Sequence, residues 1–240
     1  MKVIRLEETE STNSFAKSCI DDFADRTVIH ALRQTNGRGR FTRKWVDLGD
    51  ENLFFSIVLK PSDYLSSVYA NITQYACVVL CRILKKYGVN PQIKWPNDIM
   101  IDGLRKISGI LSEVVMDSGM LKGIVVGIGI NLNAKASDLV NIKDRVATSL
   151  NLEIGTQVDM NVFLNEFLDN FFENYDEFLS KGFEFIRNDY VSMNCSLNRE
   201  LNVQVMNEIK SGYAKGVNNN GELILHADNK DLVLSMGDIL

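Results

Sequence analysis

IKWPNDIMIDGLRKISGILSEVVMDSGMLKGIVVGIGINLN, residues 93–133, is the stretch whose reading decides the fold. Asp102-Gly103 and Asp117-Ser118-Gly119 cut it into three segments rich in apolar β-formers. Asp-Gly between such runs is a strong short-range hairpin signal. The reading is an antiparallel meander at roughly 93–101, 105–116 and 120–131. Its run GIVVGIGI, 123–130, is nearly continuous in apolar character, which predicts a strand buried on both faces in mid-sheet. Into this apolar surface the sequence sets Lys94, Asn97, Asp98, Lys106 and Asn131. Charged residues are rarely buried unless paired. Gly127 and Gly129 allow something to approach the backbone closely. The combination points to a pocket for an anionic ligand, although Lys94 taken alone reads equally well as part of a solvated face.

Upstream of the meander, Thr27–Arg33 reads as a strand that runs into Gln34-Thr35-Asn36-Gly37-Arg38-Gly39-Arg40-Phe41-Thr42-Arg43-Lys44-Trp45. This glycine-hinged loop gathers cations inside an acidic protein. Glycine frees backbone N–H groups for anions, arginine offers paired planar donors to carboxylate or phosphate, and Trp45 offers a face for a nucleobase. A solvated basic turn fits the same residues. An RNA-binding reading rests on one short Arg-Gly run without aromatic interleaving. Ser11-Thr12-Asn13 stands at the start of a helical spacing, Phe15, Cys19 and Phe23, and serves as an N-cap. A helix start with spare hydroxyls also holds a ligand's polar group.

The remaining elements read as scaffold. Residues 2–6 form an edge strand and Asn52–Leu59 a buried one, stopped by Pro61. From Ser62 an apolar i, i+3, i+4 stripe predicts a helix to residue 87, ended by Gly88. Residues 134–158 predict a short helix and loop. Amphipathic helices follow at about 160–179, carrying Val162, Phe163, Phe167, Phe171, Tyr175 and Phe178, and at about 183–192. Short strand-like runs at 200–205, 209–217, 222–227 and 231–234 predict a small β-barrel.

The chain of 240 residues, 45% apolar, makes one large domain with room for a small second one. A formal net charge of −5 argues against a general nucleic-acid coat or a binder of anionic membranes. No apolar run reaches the roughly 18 residues of a membrane span, and the first residues lack a signal-peptide core. Cys19, Cys77, Cys81 and Cys195 show no CxxC spacing, and Cys77 and Cys81 suit buried thiols on a helix. With only His30 and His226 elsewhere, the residues argue against a zinc cluster, and a reduced, cytoplasmic setting is expected.

In order, Ser11-Thr12-Asn13, Gln34 with Gly37-Arg38-Gly39-Arg40 and Trp45, Lys94-Trp95-Pro96-Asn97-Asp98, Lys106-Ile107-Ser108-Gly109-Ile110-Leu111 and Gly127-Ile128-Gly129-Ile130-Asn131 resemble the biotin protein ligases. Each motif alone is weak, whereas five in this order are specific. The resemblance implies an α/β (α+β) fold. Its catalytic domain, residues 1–193, would be related to class II aminoacyl-tRNA synthetases and built on a mixed sheet. A small SH3-like β-barrel would follow at 194–240.

The resemblance also implies a two-step reaction. Biotin and MgATP give biotinyl-5′-adenylate, which then acylates one lysine of a biotin carboxyl carrier domain. Ser11, Thr12, Asn13 and Gln34 would contact biotin, with Gly109, Gly127 and Gly129 beside it. Gly37, Arg38, Gly39 and Arg40 would close over the acyl phosphate, and Trp45 would cover the adenine. Lys94, Asn97, Asp98 and Asn131 would serve the nucleotide. No metal ligand is assigned among the residues; magnesium would arrive with ATP, near Asp98. Lys106, with Arg38 and Arg40, would be catalytic, holding the carboxylate and the α-phosphate.

The chain departs from the family pattern at Thr42, where a third glycine is usual, and at Asp47, Leu48 and Asp50. Ten residues precede Ser11, too few for a helix-turn-helix, so no DNA binding is expected. Pairing of two copies through sheet edges occurs in the family and leaves the oligomeric state open. Two alternatives stand beside the ligase: a lipoate or octanoyl ligase or transferase, and a non-catalytic biotin- or RNA-binding protein.

Overall fold

The computed structural model describes residues 1–41, 43–49, 51–60, 67–140, 142 and 146–240. In chain order the elements are β1 (Lys2–Thr9), α1 (Thr12–Ser18), β2 (Thr27–Gln34), β3 (Leu53–Leu59), α2 (Ile72–Lys86), β4 (Pro91–Lys94) and β5 (Asp98–Ile101). They continue with β6 (Arg105–Asp117), β7 (Met120–Ile130), α3 (Ala136–Leu139), α4 (Leu150–Ile154), α5 (Met160–Glu173), α6 (Tyr175–Lys181) and α7 (Phe183–Ser192). The last five are β8 (Glu200–Val205), β9 (Glu208–Val217), β10 (Leu223–Ala227), β11 (Lys230–Leu234) and β12 (Asp238–Ile239). The fold is mixed α/β. Two compact units divide it: Met1–Ser66 with Arg105–Glu166, and Ser67–Leu104 with Phe167–Leu240.

In the first unit the strands lie in the order β1-β2-β3-β7-β6. β1 and β2 run parallel and the other neighbours antiparallel. Parallel neighbours need a crossover, and α1 lies on that connection. Its inner face joins a core of Ala16, Ile20, Ile29, Val58 and Val125, with Phe15 and Phe23 packed against it. β7 sits between β3 and β6, buried on both faces along most of its length, as its apolar run predicts. The link between β6 and β7 puts Ser118 and Gly119 at φ +49° and +82°, the backbone sign that a two-residue type I′ hairpin requires.

The structure corrects the first segment of the meander. Residues 93–101 are not one strand: β4 ends at Lys94 and β5 begins at Asp98, with a turn through a cis Trp95-Pro96 bond between them. Proline has no N–H for a ladder and is excluded from central strand positions, and a cis X-Pro bond characteristically marks a tight turn.

The second unit carries this hairpin, several of the helices and the carboxy-terminal sheet. The long amphipathic stripe becomes α-helical only at Ile72, after a 3₁₀ turn at Ser67–Asn71; the expected cap at Ser62 lies outside the described residues. α2 is buried on nearly every side, with Tyr75, Ala76, Cys77, Val78, Val79, Leu80 and Cys81 all inaccessible, and burial pushes the Cys81 thiol up. The helix expected over 160–179 is two: α5 ends at Glu173, and Asn174 stands at the start of α6. The phenylalanine stripe is core, with Tyr75 stacked on Phe178 at 4.4 Å and edge-on to Phe171 at 5.0 Å. Each such buried aromatic contributes about 1.5–3 kcal/mol. Val162, counted with the stripe, is exposed.

The carboxy-terminal strands form a five-stranded antiparallel sheet in the order β11-β10-β9-β8-β12. The four expected runs are strands, and β12 is an addition, too short for periodicity to reveal.

Candidate functional site

A glycine floor organises the site. β6 and β7 pair so that Gly109 lies opposite Gly129, and β3 and β7 so that Ser56 lies opposite Gly127. A methyl on Gly129 would come within 2.7 Å of the Trp45 indole, and one on Gly109 within 2.9 Å. A methyl on Gly127 would come within 2.1 Å of Asn13 Oδ1. The floor is therefore flat because two polar or aromatic groups lie on it, and any side chain larger than hydrogen would displace them.

The Ser-Thr-Asn motif forms one rim. Ser11 caps α1, its hydroxyl accepting from the Ser14 N–H. Thr12 donates its N–H to Gln34 Oε1 at 2.8 Å. Asn13 donates from Nδ2 to the Leu111 carbonyl at 3.1 Å and to Glu113 Oε2 at 2.9 Å. Both amide protons are thus committed on that side, which leaves Asn13 Oδ1 as the acceptor on the other. Ser56 Oγ lies 2.6 Å from Asn13 Oδ1 and 2.7 Å from Thr12 Oγ1. A hydroxyl has one proton to give, and Asn13 Oδ1 can only receive it. Ser11, Thr12, Asn13, Gln34 and Ser56 are all buried, so each hydrogen bond has few alternatives.

Glu113 closes this network. Its Oε1 pairs with Lys17 Nζ at 2.7 Å and with Arg38 Nη1 at 3.1 Å. Burial pushes the Glu113 carboxyl up, but the hydrogen bonds from Lys17 and Asn13 and the charges of Lys17 and Arg38 outweigh it and hold the group below the usual carboxylate range.

The basic loop folds back on itself. Arg38 and Lys44 face each other in an antiparallel bridge, and the Trp45 N–H donates to the Gly37 carbonyl at 2.9 Å. A Gly37 methyl would meet the Trp45 carbonyl at 2.7 Å, so a glycine is required there. Arg40 stacks on the exposed Phe41 ring, 5.1 Å from its centroid. Thr42 and Asp50, two of the departures from the family pattern, lie outside the described residues. Asp47, a third, fixes the far end of β2 by accepting from the Gln34 N–H, the Arg33 guanidinium and the Gly49 N–H.

Beside the floor opens a pocket lined by Lys44, Trp45, Val46, Lys106, Asn131, Ile142 and Ala147. Lys106 is only 7% exposed. Its backbone is clamped on both sides, donating to the Val146 carbonyl and accepting from the Thr148 N–H. Its ammonium stands 5.5 Å from the Trp45 ring centroid, close enough for attraction to the indole face. Asn131 is buried and donates to the Thr148 carbonyl at 3.0 Å. A cation, an aromatic face and an amide thus converge on one pocket, a set suited to a planar anionic ligand.

The structure accordingly brings together in the first unit Ser11, Thr12, Asn13, Gln34, Gly109, Gly127 and Gly129 as floor and rim, and Trp45, Lys106 and Asn131 around the pocket. Arg38 pairs with Glu113 and bridges the pocket-lining Lys44, and Arg40 stacks on Phe41. Lys94 and Asp98 face each other in register on the hairpin of the second unit, with Asn97 in the turn between them. Ser56 and Glu113 escaped the sequence reading. Ser56 had one signal, a lone hydroxyl in the otherwise apolar LFFSIVL. Among the described residues no group of three His, Cys, Asp or Glu side chains could hold a metal, and no helix is long and apolar enough to cross a membrane.

Comparison with known proteins places this geometry. Over its whole length the chain superposes on a biotin protein ligase of Aquifex aeolicus in complex with biotin and ATP, with a TM-score of 0.82, 27% identity and 97% of that chain covered. It is 28% identical to a biotin–[acetyl-CoA-carboxylase] ligase of Paracoccus denitrificans, across 92% of each protein. It is 29% identical to the bifunctional ligase/repressor BirA of Bacillus subtilis over 84% of this chain, and spans 62% of that relative's length. The family model for biotin/lipoate A/B protein ligases matches residues 5–131, the stretch that carries the floor, the rim, the basic loop and Lys106, and the chain belongs to that family.

Proposed function

We propose that this protein is a biotin–[biotin carboxyl carrier protein] ligase. It joins biotin to ATP as biotinyl-5′-adenylate and transfers the biotinyl group to a lysine of a carrier domain of a biotin-dependent carboxylase. The observation that carries the reading is Lys106, a buried cation at the edge of a glycine floor, facing a pocket it shares with Trp45 and Asn131. Two anions must meet there, and fixed cations offset their repulsion and the charge that grows at the α-phosphorus. A biotin carboxylate oxygen attacks that phosphorus and pyrophosphate leaves. In the second step the carrier lysine's amine attacks the acyl carbon, and AMP leaves with the electron pair of the broken bond. No protein nucleophile is needed.

In this reading Ser11, Thr12, Asn13 and Gln34 hold biotin, with Gly109, Gly127 and Gly129 beside it. Gly37, Arg38, Gly39 and Arg40 cover the acyl phosphate, with Arg38 and Arg40 assisting Lys106. Trp45 and Asn131 take the nucleotide, to which Lys94, Asn97 and Asp98 are also assigned. Magnesium would come with ATP and neutralise phosphate charge. Residues 1–193 form the catalytic domain and 194–240 a small carboxy-terminal domain of SH3-like type, supported by the antiparallel sheet confined to residues 200–239. The protein works in the cytoplasm, and pairing of two copies through a sheet edge is compatible with the same site.

The test is pyrophosphate release on adding biotin and ATP, followed by labelling of a biotin carboxyl carrier domain. Release with lipoate or octanoate in place of biotin would move the reading to the other branch of the family. Binding of biotin without release would make the protein a binding module.

A further inference from the structure

We propose that Glu113 is a positioning residue, a latch that ties the basic loop through Arg38 to the Asn13 amide and so presets the rim before any ligand arrives. Three donors from two separate segments meet on this one carboxylate: Asn13 and Lys17 from α1, and Arg38 from the loop. The Glu113 side chain is 17% exposed, while Lys17 and Arg38 are 30% and 41% exposed. The carboxylate is therefore the shielded hub and the cations reach in to it from outside.

Its charge state matters to Asn13. An ionised carboxylate only accepts hydrogen bonds, so it can face only the NH₂ side of the Asn13 amide. That choice turns Asn13 Oδ1 toward Ser56 and over Gly127. A glutamine at position 113 keeps the shape but offers both an oxygen and an NH₂. With its oxygen toward the cations it would present N–H groups to Asn13 Nδ2, donor against donor, while the Leu111 carbonyl still accepts from that amide, so the Asn13 contact is lost and the amide is held less firmly. The second consequence concerns the loop. Arg38 bridges Lys44, next to the Trp45 whose N–H is held by Gly37. Pinning the Arg38 guanidinium thus pins the base of the loop and the approach of Trp45 to the floor. Neither role involves contact with reacting atoms, so Glu113 acts through other residues.

Two readouts test this, and only the second rests on the biotin reading. The first uses the free protein. Phe41, 58% exposed at the loop tip, is a chymotrypsin site common to all variants. Glu113→Gln should speed cleavage there by about fivefold, the scale of one partly shielded charged contact. Arg38→Gln should do the same, and the double variant should add little, because the two changes break one contact. The second readout is biotin affinity by titration. Glu113→Gln should weaken it by about fivefold or more through Asn13, and Glu113→Asp should restore part of the loss.

Unchanged cleavage in a folded Glu113→Gln, or fully additive effects with Arg38→Gln, would overturn the latch. If Glu113→Gln lost its cooperative melt, Arg38→Gln would break the same contact from its exposed end and decide the first readout. Faster cleavage in a protein whose parent binds no biotin would uphold the latch and sink the functional reading. Biotin binding by the parent with unchanged cleavage would do the reverse.

Discussion

The two sheets of this protein treat polar groups in opposite ways. In β3 all seven residues are buried, and the one hydroxyl among them, Ser56, is within hydrogen-bond reach of Thr12 and Asn13. In the carboxy-terminal sheet, β9 and β11 leave most of their residues exposed or half-exposed, and Ile209 and Val233 face solvent. A polar group taken out of water must find partners or forfeit about 1–3 kcal/mol. Buried polar side chains consequently hold one orientation, whereas exposed ones can exchange partners with water. Precise positioning, which the proposed chemistry on two repelling anions requires, is available in the first sheet and largely absent from the second.

That contrast ranks the expected effects of substitution. The largest belongs to Lys106. Lys106→Ala removes the charged partner of a buried anionic ligand, a loss on the order of 2–5 kcal/mol. Pyrophosphate release should fall at least about tenfold while the melting curve stays cooperative; release at the parental rate would remove Lys106 from the mechanism. Next comes the floor. Gly127→Ala drives a methyl into Asn13 Oδ1, and overpacking of this kind costs about 1–3 kcal/mol. Biotin affinity, read by titration, should drop roughly tenfold. Ser56→Ala takes away the hydroxyl that faces Asn13 Oδ1 and should lower stability by about 1 kcal/mol in denaturant melts.

A smaller effect depends on pH. The Glu113 carboxyl is held below its usual range in the folded protein. Its stabilising contribution is therefore present above the unfolded carboxylate pKa of about 4.3 and is lost as pH falls through the lower folded value. The gap in melting temperature between the parent and Glu113→Gln should be constant near neutrality and shrink in acid. A gap that widened in acid would contradict the direction of the shift. At the bottom of the scale, Val233→Thr on the exposed face of the second sheet should change stability by less than about 0.5 kcal/mol and leave pyrophosphate release untouched.

The strands were legible where turn chemistry and runs of apolar β-formers agree, as at Ser118-Gly119 and along β7. The reading failed where one residue outweighed the pattern around it. Pro96 broke an apolar run that otherwise read as a single strand, and a break at Asn174 divided a helix whose aromatic stripe continued past it. The motifs located the floor, the rim and Lys106 because backbone proximity and close charge leave traces in residue type. They could not show that Glu113 is a hub, since its partners Asn13, Lys17 and Arg38 lie far from it along the chain and glutamate is common on strands that face water. Asp47 was visible only as a departure from a pattern, and its hydrogen bonds to Arg33, Gln34 and Gly49 give that departure a structural purpose.

The indole of Trp45 lies on the paired glycines with the Lys106 ammonium over its ring, while the other tryptophan, Trp95, is buried in the second unit. A cation held against an indole perturbs its excited state through the same field that attracts it in the ground state. The protein therefore carries its own optical probe at the floor. Any ligand that draws Lys106 away or slides beneath the ring should change the emission of one tryptophan out of two, and a Trp95→Phe variant would isolate that signal. Occupancy of the site could then be followed in real time, without labels and before any bond is made.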